Sequence, residues 1–413
     1  MGARMNAPQA IEQEQRAPIG FVEFVALVAS LMALTALGID AMLPALPAIG
    51  TALGVASENH RQFVISAFLL GFGLAQLVHG PLADRFGRRP VLLAALAAYV
   101  VANLVAAMSS SFELLLAARF ASGLAIAASR VVTVALVRDC YSGRPMARVM
   151  SLAFMVFMAA PVLAPSFGQL ILLFGSWRLI FVLIAMVSGG VLAWFAIRMP
   201  ETLPPERRHP LSFARLIADW RTTLTERASI GYTLASTALL GALYGFINSV
   251  QQIVAALTGS DRLLVPVFIG VAGMMALANL LNSRIVLRLG TRRISHTALA
   301  GFILLSAVHL AVAASGMETI WSFAVLQALA MACFGLASAN FSAMAMEKMG
   351  AIAGTASSVQ GFITVTAGAV VGALIGQSFD GTTVPLYGSF LVASLIAFAI
   401  VAVVERGRLF RPS

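Results

Sequence analysis

Charged residues are scarce in this chain. Only 11% of its 413 residues are charged, whereas 60% are hydrophobic, and the mean hydropathy is +0.92. A soluble protein of this length needs a far more polar surface. The low charge therefore excludes a soluble globular protein and predicts an all-α polytopic membrane protein.

The residue clusters that mark enzymes and metal sites are also missing. Cys140 lies in a basic loop and Cys333 in an apolar run, which argues against a structural disulfide and against a metal site. The apolar runs hold no clustered histidines and acids, and there is no nucleophile elbow or phosphate loop. We therefore expect no cofactor.

Acidic residues are outnumbered by basic ones, 17 to 27, which gives a net charge of +10. No basic run is longer than three residues, so the excess does not point to a nucleic-acid partner. The arginines instead occupy short connections between apolar runs, which is the positive-inside pattern of proteins embedded in a lipid bilayer.

Twelve apolar runs are long enough to cross a membrane as helices. All but five of the 27 Lys and Arg residues lie in the termini or in the connections after even-numbered runs. This distribution predicts a multi-pass protein of the cell inner membrane with both termini in the cytoplasm. The predicted spans are residues 21–46, 61–82, 90–108, 112–137, 147–173, 178–198, 228–257, 263–287, 294–314, 319–345, 353–379 and 385–404.

The connection after the sixth run is longer and divides the chain into halves. It contains Pro-Pro, several arginines and an amphipathic stretch at 211–220, which predicts a short surface helix along the inner leaflet. The predicted units are a disordered cytoplasmic tail (1–19), a six-helix bundle (20–198), a cytoplasmic linker (199–227), a second six-helix bundle (228–405) and a cytoplasmic tail (406–413).

Two short patterns in the first half recur in the second. Arg85-Phe-Gly87 matches Arg288-Leu-Gly290 about 203 residues on, and Phe167-Gly168-Gln169 matches Ile375-Gly376-Gln377. Similar offsets for two separate patterns predict parallel six-span repeats with a binding site between them.

Asp40 lies inside the first apolar run, with no other charge between it and Glu23. An ionised carboxylate in hydrocarbon is costly and needs a partner, a watery cavity or a proton. No acid lies as deep in the second half, so we expect proton coupling to depend on the first. Arg119, about 10 Å from the outer end of the fourth span, lies at a similar depth.

The stretch from Gly80 to Pro90 is the strongest local signal. Its glycines permit a tight turn, and its carboxylate and arginines lie at the inner face. A contact from here to the other half would lock one conformation and yield in the other, whereas the alternative is a solvated basic turn. The candidate residues of this conformational gate are Gly80, Asp84, Arg85, Gly87, Arg88, Arg138 and Asp139.

Several stretches together carry a family resemblance. They are Asp40-Ala-Met-Leu-Pro-Ala-Leu-Pro47, the Gly80–Pro90 loop, Arg119-Phe-x-x-Gly123, Arg138-Asp139-x-Tyr141, Pro161-x-x-Ala-Pro165-x-x-Gly168, Glu201-Thr-Leu-Pro-Pro-Glu-Arg-Arg208, Asn282-Ser-Arg284 and Ala353-Gly-Thr-Ala-Ser-Ser358. On these residues the chain resembles the major facilitator superfamily, in its twelve-span drug:proton antiporter branch, and is most similar to the bicyclomycin-resistance (Bcr/CflA) group. The resemblance implies a monomer with twelve transmembrane helices in two pseudo-symmetric six-helix bundles around a central cavity.

The resemblance also implies roles for single residues. Asp40 is implied to be the proton-coupled acid and Arg119 its charge partner, both facing the central cavity. A bend in the fifth span is implied to keep the pore sealed against leak, although an ordinary kinked helix would share its sequence. The residues of this antiporter motif are Pro161, Ala164, Pro165 and Gly168.

Arg130 departs from the family pattern. It shares a face of the fourth span with Arg119, about 16 Å further inward, and no acid of the first six spans is obviously placed to pair with it. It either snorkels or pairs with Asp139 or another loop acid, or it attracts an anionic or carbonyl-rich substrate.

A polar stripe on one face of the seventh span is suited to hydrogen-bonding a neutral drug or to lining helix contacts. Amides in the last spans and aromatic residues of the second span are weaker candidates for the cavity wall. Together with Asp40, Arg119 and Arg130, the cavity candidates are Phe68, Phe72, Gln76, Tyr244, Asn248, Gln251, Gln252, Asn340 and Gln360.

These observations predict a proton-coupled efflux antiporter. Its expected partners are protons, the lipid bilayer and small amphipathic antibiotics of the chloramphenicol or bicyclomycin kind, exported by rocking of the two bundles. The alternatives are a proton-coupled symporter or exporter of a small anionic or amino-acid-like metabolite and, in another class, a membrane-embedded enzyme.

Overall fold

The computed structural model describes residues 17–141, 143–208 and 213–410, without the side chains of residues 143, 144, 147, 151, 154–162, 207, 213, 215 and 351. Within this part the chain is helical and contains no strand. Twelve long helices follow one another: α1 (Phe21–Asp40), α2 (Phe63–Phe86), α3 (Arg88–Ala107), α4 (Phe112–Cys140), α5 (Gly143–Leu172), α6 (Arg178–Arg198), α7 (Arg227–Thr258), α8 (Leu264–Leu289), α9 (Thr291–Ala314), α10 (Ile320–Met346), α11 (Ala353–Gln377) and α12 (Val384–Val404).

These helices are suited to a membrane. Eleven of them are long and apolar enough to cross one, counting α1 together with the short helix that continues it to Ala52. The remaining helix, α5, is 30 residues long, and the apolar part of it that the structure describes is Leu163–Leu172. The prediction of an all-α polytopic membrane protein is confirmed.

The helices form two groups of six with the same internal arrangement. In the first group α1 packs on α5, α2 on α4, and α3 on α4 and α6. In the second group α7 packs on α11, α8 on α10, and α9 on α10 and α12. The groups meet where α2 packs on α11 and α5 on α8. The architecture is therefore two pseudo-symmetric six-helix bundles.

Two glycines at matching places in the halves make the tight turns between helices. Gly87 joins α2 to α3 with φ +104°, and Gly290 joins α8 to α9 with φ +79°. These angles lie in the region that favours glycine, because a side chain there meets the backbone. The geometry explains why the Arg-x-Gly pattern occurs in both halves.

Other glycines allow helices to approach until their backbones touch. A Cβ on Gly71 of α2 would lie 2.2 Å from the Phe120 carbonyl oxygen, and one on Gly123 of α4 would lie 2.0 Å from the Phe68 carbonyl oxygen. In α5, a Cβ on Gly168 would lie 2.1 Å from the Ala41 carbonyl oxygen. Small residues give helices in a bilayer this close packing, where the hydrophobic effect provides little attraction.

The first span is not one continuous helix. α1 ends at Asp40, a 3₁₀ turn with Pro44 at its second position covers Leu43–Ala45, and a short helix resumes at Leu46–Ala52. Proline has no N–H to continue the helical ladder, so the break falls just after Asp40. The predicted span 21–46 therefore contains a break, and the candidate membrane span extends to Ala52.

The linker also differs from the prediction. Its helix spans Phe213–Thr225, and residues 211 and 212 of the predicted amphipathic stretch lie outside the described residues. The helix packs on α7 and α11, and the Thr355 hydroxyl donates to Asp219. It therefore lies against the second helix bundle.

The two ends of the molecule are named here by their connections. The linker end carries the linker helix and the turns at Gly87 and Gly290. The far end carries the connections α1–α2 and α11–α12. Residues 1–16 and 411–413, which make up most of the predicted tails, lie outside the described residues.

The backbone contact at Gly123 gives a test of the α2–α4 packing. We expect Gly123→Ala to destabilise the protein by about 1–3 kcal/mol, because the methyl group overpacks against backbone atoms that cannot move away cheaply. The measurement is the thermal midpoint of the detergent-purified protein. The matched control is Gly189→Ala in α6, where a Cβ meets nothing within 4 Å, and we expect it to be neutral or slightly stabilising. Equal midpoints for the two variants would contradict the packing argument.

Candidate functional site

A cavity of about 630 Å³ lies between the two halves. It begins near the middle of the helices at Gln76 and Tyr244 and reaches the linker end, where Leu216 and Trp220 of the linker helix line it. Both halves contribute to its wall, chiefly through α2, α4, α7, α10 and α11. A space of this size and position suits a small molecule that both halves must contact.

The charged residues of the cavity wall are unbalanced. Arg88, Arg130 and Arg138 line it, whereas Asp84 is the one acid among the described lining residues. Serine and threonine hydroxyls of α7, α10 and α11 make up much of the remaining polar lining. The cavity is therefore positively charged on the side of the first half and hydroxyl-rich on the side of the second.

The far end is closed by four uncharged side chains that we call the amide latch: Asn59, Gln62, Gln252 and Gln377. The Asn59 amide donates to the carbonyl oxygens of Gln377 (3.1 Å) and Phe379 (2.9 Å), and the Gln377 amide donates to the Asn59 carbonyl oxygen (2.6 Å). Gln62 donates to Gln252 (2.5 Å), which donates to the Asn59 side chain (3.1 Å). The latch joins the halves opposite the cavity, so the structure is closed at the far end.

Asp40 lies beside this interface, at the break in α1. Its side chain is only 4% exposed, and its Oδ1 has no hydrogen-bond partner in the described part of the chain. Gly168 of α5 packs against the next residue, Ala41, and so holds the break in place. Tyr244 on α7 lies close enough to feel the charge of Asp40 across the interface. The acid is thus enclosed and unpaired, but next to a residue that reaches the cavity.

The structure does not contain the expected ion pair between Asp40 and Arg119. Arg119 is fully buried and donates instead to the backbone carbonyl oxygens of Gly38 (2.8 Å) and Val64 (3.0 Å). Its guanidinium also lies 4.4 Å from the centre of the Phe68 ring, where a cation–π interaction is favourable. Carbonyl dipoles and an aromatic face therefore satisfy most of this charge without a carboxylate.

Neither Asp40 nor Arg119 lines the cavity. The expectation that both face it is wrong for this conformation. Gly38 contributes to the burial of Arg119 away from the cavity. A Cβ on Gly38 would lie 2.5 Å from the Tyr99 hydroxyl and would also collide with the Phe68 ring. The absence of a side chain at Gly38 lets these groups close over Arg119.

The polar stripe on α7 is divided between two places. Tyr244 lines the cavity, whereas Gln252 belongs to the amide latch and Gln251 donates to Asp261 (2.9 Å). Asn248 is buried beside Gly376, and neither its amide nitrogen nor its carbonyl oxygen has a partner among the described residues. The prediction that the whole stripe lines the cavity is wrong, because only the residue nearest the linker end reaches it.

The remaining cavity candidates are similarly divided. Gln76 and Gln360 line the cavity, and Gln360 also donates to Ser229 and to the Ala345 carbonyl oxygen. Asn340 donates to Asn282 inside the second half instead. Phe68 and Phe72 stack on each other with ring centres 6.4 Å apart, are buried, and do not line the cavity.

The residues of the candidate gate are paired within the first half. Arg88 forms ion pairs with Asp84 (2.5 Å) and Asp139 (3.1 Å). Arg138 and Gly80 line the cavity, and a Cβ on Gly80 would lie 3.3 Å from the Ser358 hydroxyl of the other half. The expected contact from Asp84 to the other half is not formed. The cavity separates the Asp84 carboxylate from the other half, and the carboxylate pairs with Arg88 instead.

The turn at Gly87 has a partner that the sequence did not identify. The Glu201 carboxylate, just after α6, accepts from the backbone N–H groups of Arg88 (2.9 Å) and Arg89 (3.2 Å). A carboxylate at the start of α3 is stabilised by the unpaired N–H groups and the dipole of the helix. It occupies the space beside Gly87 where a Cβ would lie, 2.2 Å from its Oε2.

The antiporter-motif residues lie on α5 near the α1 break. Ala164 and Pro165 are buried, and Gly168 contacts Ala41 as described above. The Pro161 side chain lies outside the described residues. α5 runs without interruption through all four positions.

Comparison with known proteins agrees with this architecture. The family model described as Major Facilitator Superfamily matches residues 28–376. The bicyclomycin resistance protein homolog of Haemophilus influenzae is 30% identical over 386 residues, covering 91% of this chain and 95% of that protein. The chloramphenicol resistance protein of Pseudomonas aeruginosa is 39% identical over 165 residues, 39% of each chain.

A solved structure extends the comparison to the fold. The xylose transporter XylE of Escherichia coli, in a partially occluded inward open conformation, superposes with a TM-score of 0.73 at 12% sequence identity, covering 92% of this chain and 96% of that one. The likeness shows that this chain and XylE share one fold.

The amide latch predicts how the far end opens. Asn59→Ala removes three side-chain hydrogen bonds, each contributing about 0.5–1.5 kcal/mol. We expect the far ends of the two halves to separate in a larger fraction of molecules. The measurement is the distance between spin labels on Thr51→Cys and Thr382→Cys, two exposed far-end positions in different halves, after replacing both native cysteines.

The matched control is Asn340→Ala, which removes an amide whose bonds stay within the second half. The control should leave the distance distribution unchanged, and Asn59→Ala should add a longer distance. If both variants match the parent, the latch does not hold the far end closed.

Proposed function

Because this chain belongs to the major facilitator superfamily, we propose that it is a proton-coupled exporter of small amphipathic compounds that works by alternating access. Relatives named for bicyclomycin and chloramphenicol resistance support a small-molecule substrate of this kind. The observation that carries the coupling is the buried, unpaired carboxyl group of Asp40 at the break in α1.

The orientation follows from the arginines. The linker end holds most of them, so we propose that it faces the cytoplasm of a bacterial inner membrane and that the far end faces outward. The cavity then opens toward the cytoplasm, where substrate enters, and the amide latch is the outer gate. We propose that one chain is sufficient, since both halves of the cavity come from it.

The proton step rests on the surroundings of Asp40. An ionised carboxylate without a partner in an apolar site is costly, so in this closed-outside conformation Asp40 is proposed to carry a proton. The proton leaves toward the cytoplasm past Tyr244, a cavity residue that interacts electrostatically with Asp40. Asp40 is then ionised. Because an ionised carboxylate is costly in an apolar enclosure, the enclosed arrangement around Asp40 becomes less favourable, which permits substrate to bind.

The gates change in turn during the cycle. As the halves rock, the amide latch breaks and the linker end closes. The start of α11 faces Asp84 across the cavity. We propose that Asp84 then gives up part of its ion pair with Arg88 and accepts hydrogen bonds from donors at the start of α11. In the outward-open state a proton from outside neutralises Asp40 and substrate leaves.

Asp40→Asn tests the coupling. We expect accumulation of chloramphenicol in proteoliposomes driven by an imposed pH gradient to fall below about a tenth of that of the unmodified protein, because an amide cannot carry the proton. Exchange of labelled for unlabelled chloramphenicol without a gradient should persist. Asp380→Asn, in the exposed far-end loop, is the matched control and should transport normally.

Normal gradient-driven accumulation by Asp40→Asn would rule out Asp40 as the coupling acid. The direction of transport has its own readout. Cells that express the protein should accumulate less chloramphenicol than cells without it, and greater accumulation would support uptake in place of export.

A further inference from the structure

Arg130 is the charged residue that the proposed cycle does not use. It projects from α4 into the cavity and is exposed there, about 12 Å deeper than Arg138 along the same helix. Within the described part of the chain, it forms no hydrogen bond to another side chain and no ion pair. A guanidinium does not lose its charge in a protein, so this exposed charge is free to bind an anion from outside the chain.

The acids near the linker end are already engaged. Asp84 and Asp139 both pair with Arg88, and Asp139 also accepts from the Thr202 hydroxyl at 3.4 Å. Asp40 lies outside the cavity wall. Tyr244 interacts electrostatically with both Asp40 and Arg130. None of these carboxylates forms an ion pair with Arg130, so pairing with a loop acid does not explain the residue.

Further hydrogen-bond donors around the cavity also lack partners. The Gln76 side chain is 3% exposed and its amide nitrogen has no partner, because its carbonyl oxygen is turned toward Gly361. The Ser236 hydroxyl on α7 is buried without a partner as well, and Tyr244 lies on the same helix two turns further on. The unpaired groups near Arg130 can thus all donate to an acceptor.

From this arrangement we propose that Arg130 forms an anion-binding subsite and that, among small amphipathic compounds, the protein prefers those with a single carboxylate or a comparable monovalent acidic group over neutral ones. The proposal rests on the proposed function for its transport step and adds the charge of the substrate to it. A guanidinium binds a carboxylate with two parallel, charge-assisted hydrogen bonds. Gln76, Ser236 and Tyr244 supply additional donors for the rest of the molecule.

A single negative charge fits better than two. Arg138 lies about 12 Å from Arg130 along α4, and Arg88 is held by its two aspartates, so one free guanidinium stands at this depth among the described lining residues. The apolar part of the compound would lie along Leu216, Trp220 and Met346 toward the linker end. Export of such an anion is also assisted by a membrane potential that is negative inside.

The test compares two probes of one shape. 4-Phenylbutyrate carries a carboxylate, and 4-phenylbutyramide replaces it with a neutral amide. Binding of each to the purified full-length protein at pH 7.5 is measured by isothermal titration calorimetry. We expect the anion to bind about tenfold more tightly than the amide, and Arg130→Gln to weaken anion binding about tenfold while changing amide binding less than twofold.

Two further variants separate the subsite from general effects. Arg130→Lys keeps the charge and should retain most of the preference for the anion. Arg138→Gln removes an arginine from the same cavity wall and should change anion binding less than threefold. Retained binding of the amide by Arg130→Gln shows that the cavity is still formed.

Several results would overturn the proposal: no binding of 4-phenylbutyrate, equal binding of both probes, or equal losses for Arg130→Gln and Arg138→Gln. The result is independent of transport. A protein that binds the anion through Arg130 but exports nothing would contradict the proposed function and support the anion-binding subsite. A protein that exports neutral compounds but binds both probes equally would support the proposed function and contradict the anion-binding subsite.

Discussion

A charge placed inside an apolar helix bundle must find a partner there, and this requirement organises the first half of the protein. Arg119 is satisfied by two backbone carbonyl oxygens and the face of Phe68. Arg88 is satisfied by two aspartates. Asp40 and Arg130 remain without such partners in the described structure. One is enclosed at the interface between the halves and the other faces the cavity, which is why one suits a proton and the other an anion.

The pseudo-symmetry of the halves makes the position of Asp40 easier to understand. Gly168 packs against the residue after Asp40, and Gly376 packs against Asn248. Asp40 and Asn248 are separated by the same number of residues as these two glycines. The two halves therefore place one acid and one amide at equivalent points. Of these two groups only the acid can change its charge with a proton, so the proposed coupling uses one half of a symmetric frame.

The two ends of the molecule use different chemistry to hold their parts together. Neutral amides join the halves at the far end, whereas ion pairs described at the linker end, such as Arg88–Asp84 and Arg292–Glu405, each stay within one half. A neutral hydrogen bond contributes modestly and is exchanged readily for water. An ion pair in a partly buried site is costlier to break and leave unpaired. The latch can thus open without exposing charges, and the linker end keeps its charged network ready to engage the other half.

Much of the fold was readable from sequence, because hydropathy, turn glycines and positive charges act locally. The membrane class, the number of long helices and the repeat of the halves follow from runs of apolar residues and from Gly87 and Gly290, whose backbone angles no other residue adopts easily. The interior charges at Asp40, Arg119 and Arg130 were equally visible, because each has uncharged neighbours on both sides within an apolar run.

The partners of those charges were not readable in the same way. Helical spacing put Asp40 and Arg119 at one depth, but depth does not fix which group an arginine contacts, and Arg119 found backbone carbonyls close by. Spacing also placed four polar residues on one face of α7, but they lie at different heights along it, so Gln252 belongs to the latch and only Tyr244 lines the cavity. The sequence by itself determined that this is a helical membrane protein of two repeated halves with costly charges inside. Only the tertiary structure decided which of those charges are paired, because pairing depends on contacts between helices that lie far apart along the chain.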